Sequence, residues 1–138
     1  MSQSQRVAKD YAKLLLGNNV LHNEIVISSQ NWKAGDAGER TVFIASEPWQ
    51  GTRVEATAST DGTAQADFSV EKNGATAVLS AAINLNASGD HVAVAGALSG
   101  TAANLKLADG DSLQITLLGA ATSLAGGCVQ VYLKRIDA

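Results

Sequence analysis

The chain has one cysteine, one proline and one methionine in 138 residues, and aromatic side chains make up only 4% of it. A single cysteine excludes an internal disulfide and any zinc site built on cysteine pairs. The two histidines, His22 and His91, are far apart and neither has a second ligand at metal spacing, so they read as turn or strand-end residues. There is no basic cluster and the formal net charge is −3, which argues against an electrostatic nucleic-acid binder. No run is long and apolar enough to span a bilayer as a helix, and the opening MSQSQRVAKDYAKLLL lacks the apolar centre of a signal peptide. The expectation is a protein made and folded in the cytoplasm, with no membrane and no nucleic-acid partner.

Catalytic patterns are missing as well. No serine sits in a nucleophile elbow. The glycine-rich stretch from Gly119 to Gly127 leads into a strand pattern and not a helix start, which rules against a phosphate cradle. Asp109-Gly110-Asp111 lacks the further carboxylates of a calcium loop and reads as a turn before the apolar alternation Leu113, Ile115, Leu117. Asp61-Gly62 is a second turn signal, and Cys128 opens an apolar strand as a buried, inert thiol. The reading is therefore not an enzyme, with no metal and no cofactor; an enzyme would require distant carboxylates to converge in the fold.

What is present is period-two alternation. The segment 68-FSVEKNGATAVLS-80 places Asn73-Gly74 between two short runs, and both residues tolerate the positive φ of a type I′ hairpin turn. Pairing Lys72 with Ala75 predicts Val70 opposite Ala77 and Phe68 opposite Leu79, with those four side chains on one face and Val78 on the other. Further runs lie at 24–29, 40–46, 52–59, 64–72, 75–83, 91–98, 103–107, 112–119 and 128–136, separated by turn clusters such as EPWQG, STDGT and ADGD. Many short strands without intervening helices mean an antiparallel sandwich or barrel, here of eight or nine strands. Phe68, Val70, Leu79, Leu113, Ile115, Leu117, Val129, Val131 and Leu133 are the expected core.

The period changes only at the N-terminus. Val7, Tyr11, Leu14 and Leu15 follow helical spacing over residues 4–16, with Ser4 as cap and Gly17-Asn18-Asn19 as stop. Such a short helix is unstable alone and needs a surface. The expected organisation is an arm over 1–20 and a β domain over 21–138. The stripe Val7, Tyr11, Leu14 and Leu15 is a candidate partner anchor, set against the alternative that it covers its own domain. Trp32 and Trp49 lie in or beside connecting regions. They are read as plugs at a sandwich end, with partner contact as the functional alternative.

A strand into Lys72-Asn73-Gly74, then Leu105, Leu107 and Ala108-Asp109-Gly110-Asp111 before Leu113 and Ile115, then a final strand Val129 to Arg135, resembles the small jelly-roll proteins of tailed-bacteriophage virions, especially capsid decoration or cement proteins. More distantly it resembles trimeric tumour-necrosis-factor-like jelly rolls. The resemblance covers residues 64–136, about half the sequence. It implies a jelly-roll β-sandwich, to which the helical spacing at the N-terminus adds a short α-helix. It also implies binding to the outer capsid surface, a major capsid protein as partner and location in the virion. A fibre-tip or carbohydrate-binding module is the second reading, and it predicts Trp32 and Trp49 together at one end. Val26, Phe43, Val78, Leu118 and Tyr132 are apolar on what the alternation makes the second face. Covering them calls for a homo-oligomer, for which the sequence alone fits a dimer nearly as well as a trimer; the jelly-roll resemblance implies a trimer ahead of a dimer.

Overall fold

Residues 23–137 are described by the computed structural model; the helix expected over 4–16, its stripe Val7, Tyr11, Leu14 and Leu15, and His22 lie outside them. The strands are β1 (Glu24–Trp32), β2 (Gly38–Ile44), β3 (Trp49–Thr57), β4 (Asp67–Lys72), β5 (Thr76–Ala77), β6 (Ile83–Asn84), β7 (Val94–Ala95), β8 (Lys106–Leu107), β9 (Ser112–Leu118) and β10 (Gly127–Arg135). They form two five-stranded antiparallel sheets stacked as a sandwich. Sheet A runs β1-β10-β3-β7 with β8 also on β3; sheet B runs β2-β9-β4-β5 with β6 also on β4. The backbone switches sheet at each step from β1 to β4, so every connection there passes from one layer to the other.

Six of the expected runs become long strands close to their expected limits. The other three break, and two of them, 75–83 and 91–98, are rich in alanine. The run 75–83 survives only as β5 and β6, and 91–98 as β7. In the run 103–107, a 3-10 turn over Ala102–Leu105 takes up the first residues before β8. Small side chains give a strand little to pack against its neighbours, so ladder pairing lapses where they dominate. At this side the two sheets approach closely: a Cβ on Gly96 would stand 2.9 Å from a Leu79 methyl and 3.0 Å from an Ile83 methyl. A bridge from Leu79 to Leu98 closes the gap.

The hairpin keeps its turn and changes its register. Asn73 and Gly74 have φ of 55° and 68°, and the Ala75 amide donates to the Lys72 carbonyl at 3.2 Å. Yet Lys72 pairs with Thr76 and Glu71 with Ala77, one residue along from the expected pairing. A slip of one residue exchanges the two faces. Ala77 is therefore exposed and Val78 is buried, the reverse of the expectation. Burying Val78 removes more apolar area from water than burying Ala77, which favours this register. Leu79 is still buried because β5 has already ended and the backbone turns inward.

The core lies between the sheets. Val129, Val131 and Leu133 of β10 and Leu113, Ile115 and Leu117 of β9 point inward, and all nine expected core residues are buried. Val54 and Ala56 of β3 and Phe68 and Val70 of β4 complete the two inner faces. Trp32 fills one end of the space, edge-on to Phe68 with ring centroids 5.4 Å apart. Trp49 fills the other, edge-on to Phe43 at 6.4 Å. They are at opposite ends because Trp32 pairs with Gly127 at the start of β10, and Trp49 with Arg135 at its finish.

Two substitutions test this packing. Ile115 is fully buried, so Ile115→Ala is expected to lower unfolding free energy by about 2–5 kcal/mol in urea titrations. Gly74→Val has room for its side chain but forces a β-branched residue to φ 68°, with an expected cost of about 1–3 kcal/mol by the same measurement.

Candidate functional site

Two surfaces gather the polar residues that the core does not use. The first lies where two turns meet. The Asn73 side-chain amide donates to Asp111 Oδ1 at 2.9 Å, and Asn73 Oδ1 accepts from the Ser112 amide at 2.9 Å. Asp111 Oδ2 in turn accepts from the Ala108 amide at 2.8 Å, closing its own turn. The bond from Asn73, then that from Ala108, holds the Asp111 carboxyl below the usual carboxylate range. Lys72 Nζ donates to the carbonyls of Ala103 and Lys106 and ties the 3-10 turn to the same corner. The two turn signatures that stand out in the sequence are thus bonded to each other. Each was legible locally, but their meeting was not, because it depends on β4 pairing with β9. Asp109 makes none of these bonds; the Asn73, Asp111 and Ser112 bonds tie the hairpin turn to the turn before β9.

The second surface is the outer face of sheet A. Cross-strand pairing sets Val26, Tyr132 and Arg53 in one row and Ser28, Gln130 and Glu55 in the next. Tyr132 Oη donates to Glu55 Oε1 at 2.7 Å, and Arg53 donates to Glu55 Oε2 at 2.6 Å. The Arg53 guanidinium also sits 4.8 Å from the centre of the Tyr132 ring. Gln130 reaches Ser28 Oγ at 3.3 Å. The Tyr132 hydroxyl and then Arg53 depress the Glu55 carboxyl, and the same bonds to Glu55 raise the Tyr132 hydroxyl and the Arg53 guanidinium. Beside this network an open recess of about 540 Å³ is lined by Glu24, Ile25, Val26, Thr52, Arg53, Tyr132 and Leu133. A register shift between Tyr132 and Leu133 leaves Thr52 as an extra residue in β3 and hollows the face there.

This outer face is polar and bonded within itself. Its charged groups are matched to one another, its Tyr and Arg are fixed in place, and Val26 is 48% exposed within it. Among the described residues no three His, Cys, Asp or Glu side chains come together as a metal site. Cys128 lies half-buried on the same face, and burial raises its thiol.

The expected site residues divide. Val7, Tyr11, Leu14 and Leu15 lie outside the described residues. Trp32 and Trp49, read from sequence as plugs at a sandwich end with partner contact as the alternative, are both buried and offer no ring face to a partner. Trp32 donates from Nε1 to Ser29 Oγ at 3.0 Å, and Arg40 lies over its ring at 3.6 Å, itself held by Asp36 and the Gln30 carbonyl. Their separation at opposite ends also removes the aromatic cluster that a carbohydrate-binding head requires. Of the five apolar residues expected on the second face, Val26 and Leu118 are exposed, Phe43 and Tyr132 are half-buried, and Val78 belongs to the core. The Arg53–Glu55–Tyr132 network was not anticipated. The only signal for it was the outward position of these residues on adjacent alternating strands.

No known family model matches this sequence, and no curated protein matches it. Among solved structures, a polypeptide of the cyanophage Pam1 capsid asymmetric unit has a similar fold, with a TM-score of 0.54 and 13% identity. The match covers 83% of this protein and 86% of that one. A looser likeness, with a TM-score of 0.36 and 13% identity over 83% of this protein and 90% of the other, is to a polypeptide from Bacillus endospore appendages, which form disulfide-linked pili.

The Asn73–Asp111 lock has a pH signature. A depressed carboxyl stabilises the fold above its unfolded value and loses that contribution as pH falls through the folded value. The difference in urea midpoint between wild type and Asp111→Ala is therefore expected to be full at neutral pH and to shrink below about pH 4.

Proposed function

We propose that this is a virion structural protein of a tailed bacteriophage, a decoration or cement protein that binds the outer capsid surface and bridges neighbouring capsid subunits. The observation that carries the reading is the similarity of fold, over most of both sequences, to a polypeptide of a cyanophage capsid asymmetric unit. Independent support comes from the strand order. Counting β5 with β6 and β7 with β8 as one interrupted strand each, one sheet runs first, eighth, third, sixth and the other second, seventh, fourth, fifth. That alternation is how a jelly roll wraps, an architecture that recurs in viral capsid domains.

The role is mechanical and assigns the protein no catalytic activity. Each contact with the shell is weak, and repetition by symmetry makes simultaneous loss of all contacts improbable. The N-terminal arm is the docking element, with Val7, Tyr11, Leu14 and Leu15 as anchors in a groove of the major capsid protein. The sandwich is the part that self-associates, as a trimer ahead of a dimer, covering exposed apolar residues such as Val26 and Leu118.

Purified protein is expected to co-sediment with DNA-filled, expanded capsids that lack it, and deletion of residues 2–20 is expected to abolish binding while leaving the β-rich circular dichroism spectrum intact. Failure of the full-length protein to co-sediment overturns the capsid role. Sedimentation equilibrium at micromolar concentration is expected to show a homo-oligomer; a stable monomer overturns the self-association.

A further inference from the structure

Gln114 points out from sheet B between inward-facing Leu113 and Ile115, yet it is 6% exposed. An outward glutamine of a surface sheet has no reason to be covered unless its amide is in use. Its Oε1 accepts from the Gly74 backbone amide at 2.7 Å, and its Nε2 donates to Ser112 Oγ at 2.7 Å and Thr41 Oγ1 at 3.3 Å. Gly74 follows Asn73, and this is the only Asn-Gly pair in the sequence. Asn-Gly is the dipeptide most prone to lose its side-chain amide, because glycine leaves its own backbone nitrogen unobstructed.

We propose that Asn73 is a site of spontaneous deamidation that the fold keeps closed, and that Gln114 closes it. In the reaction the Gly74 nitrogen gives up its proton and bonds to Asn73 Cγ, and the bond from Cγ to Nδ2 breaks to release ammonia. Water then opens the cyclic imide to aspartate or isoaspartate at position 73. Each participant is engaged elsewhere in the fold. The attacking nitrogen's proton is held by Gln114 Oε1. The leaving amide nitrogen donates to Asp111, and Asn73 Oδ1 accepts from the Ser112 amide and lies 3.3 Å from Ser112 Oγ. Cγ is thereby fixed and cannot swing toward the Gly74 nitrogen without breaking these bonds.

Modification would undo the tie between the two turns. A carboxylate at position 73 has no proton to donate to Asp111 and sets two like charges at hydrogen-bond distance. The lock between the hairpin and the β8–β9 turn then opens. The backbone shift of an isoaspartate would further disturb a turn that needs positive φ at both central residues. The residue pair that makes the hairpin is thus also its chemical weak point, and burial of Gln114 is the protection.

Peptide mapping by mass spectrometry during incubation of the full-length protein at mildly alkaline pH tests this. Asn73 in the native protein is expected to convert at least roughly tenfold more slowly than in the same protein unfolded in urea, equivalent to about 1.4 kcal/mol of added barrier. Gln114→Met keeps the side-chain bulk and removes the acceptor, and is expected to speed conversion in the folded protein. Gln114→Glu keeps the acceptor for the Gly74 amide and is expected to convert more slowly than Gln114→Met. Equal rates in native and unfolded wild type overturn the protection. A folded Gln114→Met that retains Asn73 as well as wild type removes Gln114 from the role.

Discussion

Strand β10 is the constraint on which the sandwich depends. It is central in sheet A, with β1 on one side and β3 on the other, and its alternate residues Val129, Val131 and Leu133 are fully buried. It lies far beyond β1 and β3 in the sequence, so neither has its main partner until the long stretch between them has been made. Nearly every ladder bond of sheet A therefore spans a long stretch of sequence. Such non-local pairing is slow to form, because loop closure must precede the contacts that reward it. β10 also sets the outer face: its outward residues Gln130 and Tyr132 organise Ser28, Arg53 and Glu55 on the flanking strands. Core and outer polar network are two faces of one strand.

Sheet B relies on a polar tie at one corner. β9 lies between β2 and β4, and the Asn73–Asp111–Ser112 bonds fix the turn at the end of β4 against the turn that starts β9. These bonds set register at a surface where side-chain packing is sparse. Gln114 extends the same network across to Thr41 on β2. The polar groups on this outer face are therefore structural, whereas those on the outer face of sheet A leave an open recess beside them.

The legible part of the sequence is the part in which one signal decides. Alternation with large aliphatic residues at 113–117 and 129–133 identified strands, inward faces and core together. Where alanine, serine and glycine fill both parities, as at 75–83 and 91–98, alternation carries no information about face, and the strands fragmented. The hairpin shows both cases: Asn73-Gly74 specified the turn, but Ala77 and Val78 could not specify register, since loop length and burial of the larger residue determine it. The tryptophans were placed correctly near strand ends. Their burial at opposite ends follows from pairing with the two ends of β10, which no local pattern reveals. The Arg53–Glu55–Tyr132 network was invisible for a similar reason: it requires β3 and β10 to be neighbours.

The two sides of the sandwich differ in what they offer to another strand. One is bordered by the broken pieces β5 to β8, at most two residues each, which are too short to template a ladder. The other is bordered by β1 and β2, nine and seven residues long and adjacent to each other, each paired on one edge only among the described residues. Both carry a register shift, between Ser29 and Trp32 in β1 and between Thr41 and Phe43 in β2, which bends the edge away from a straight template. The regular stretch that remains on β1 is Glu24 to Ser29. Among the described residues this side, and not the one bordered by β5 to β8, presents edges long enough to pair with a further strand.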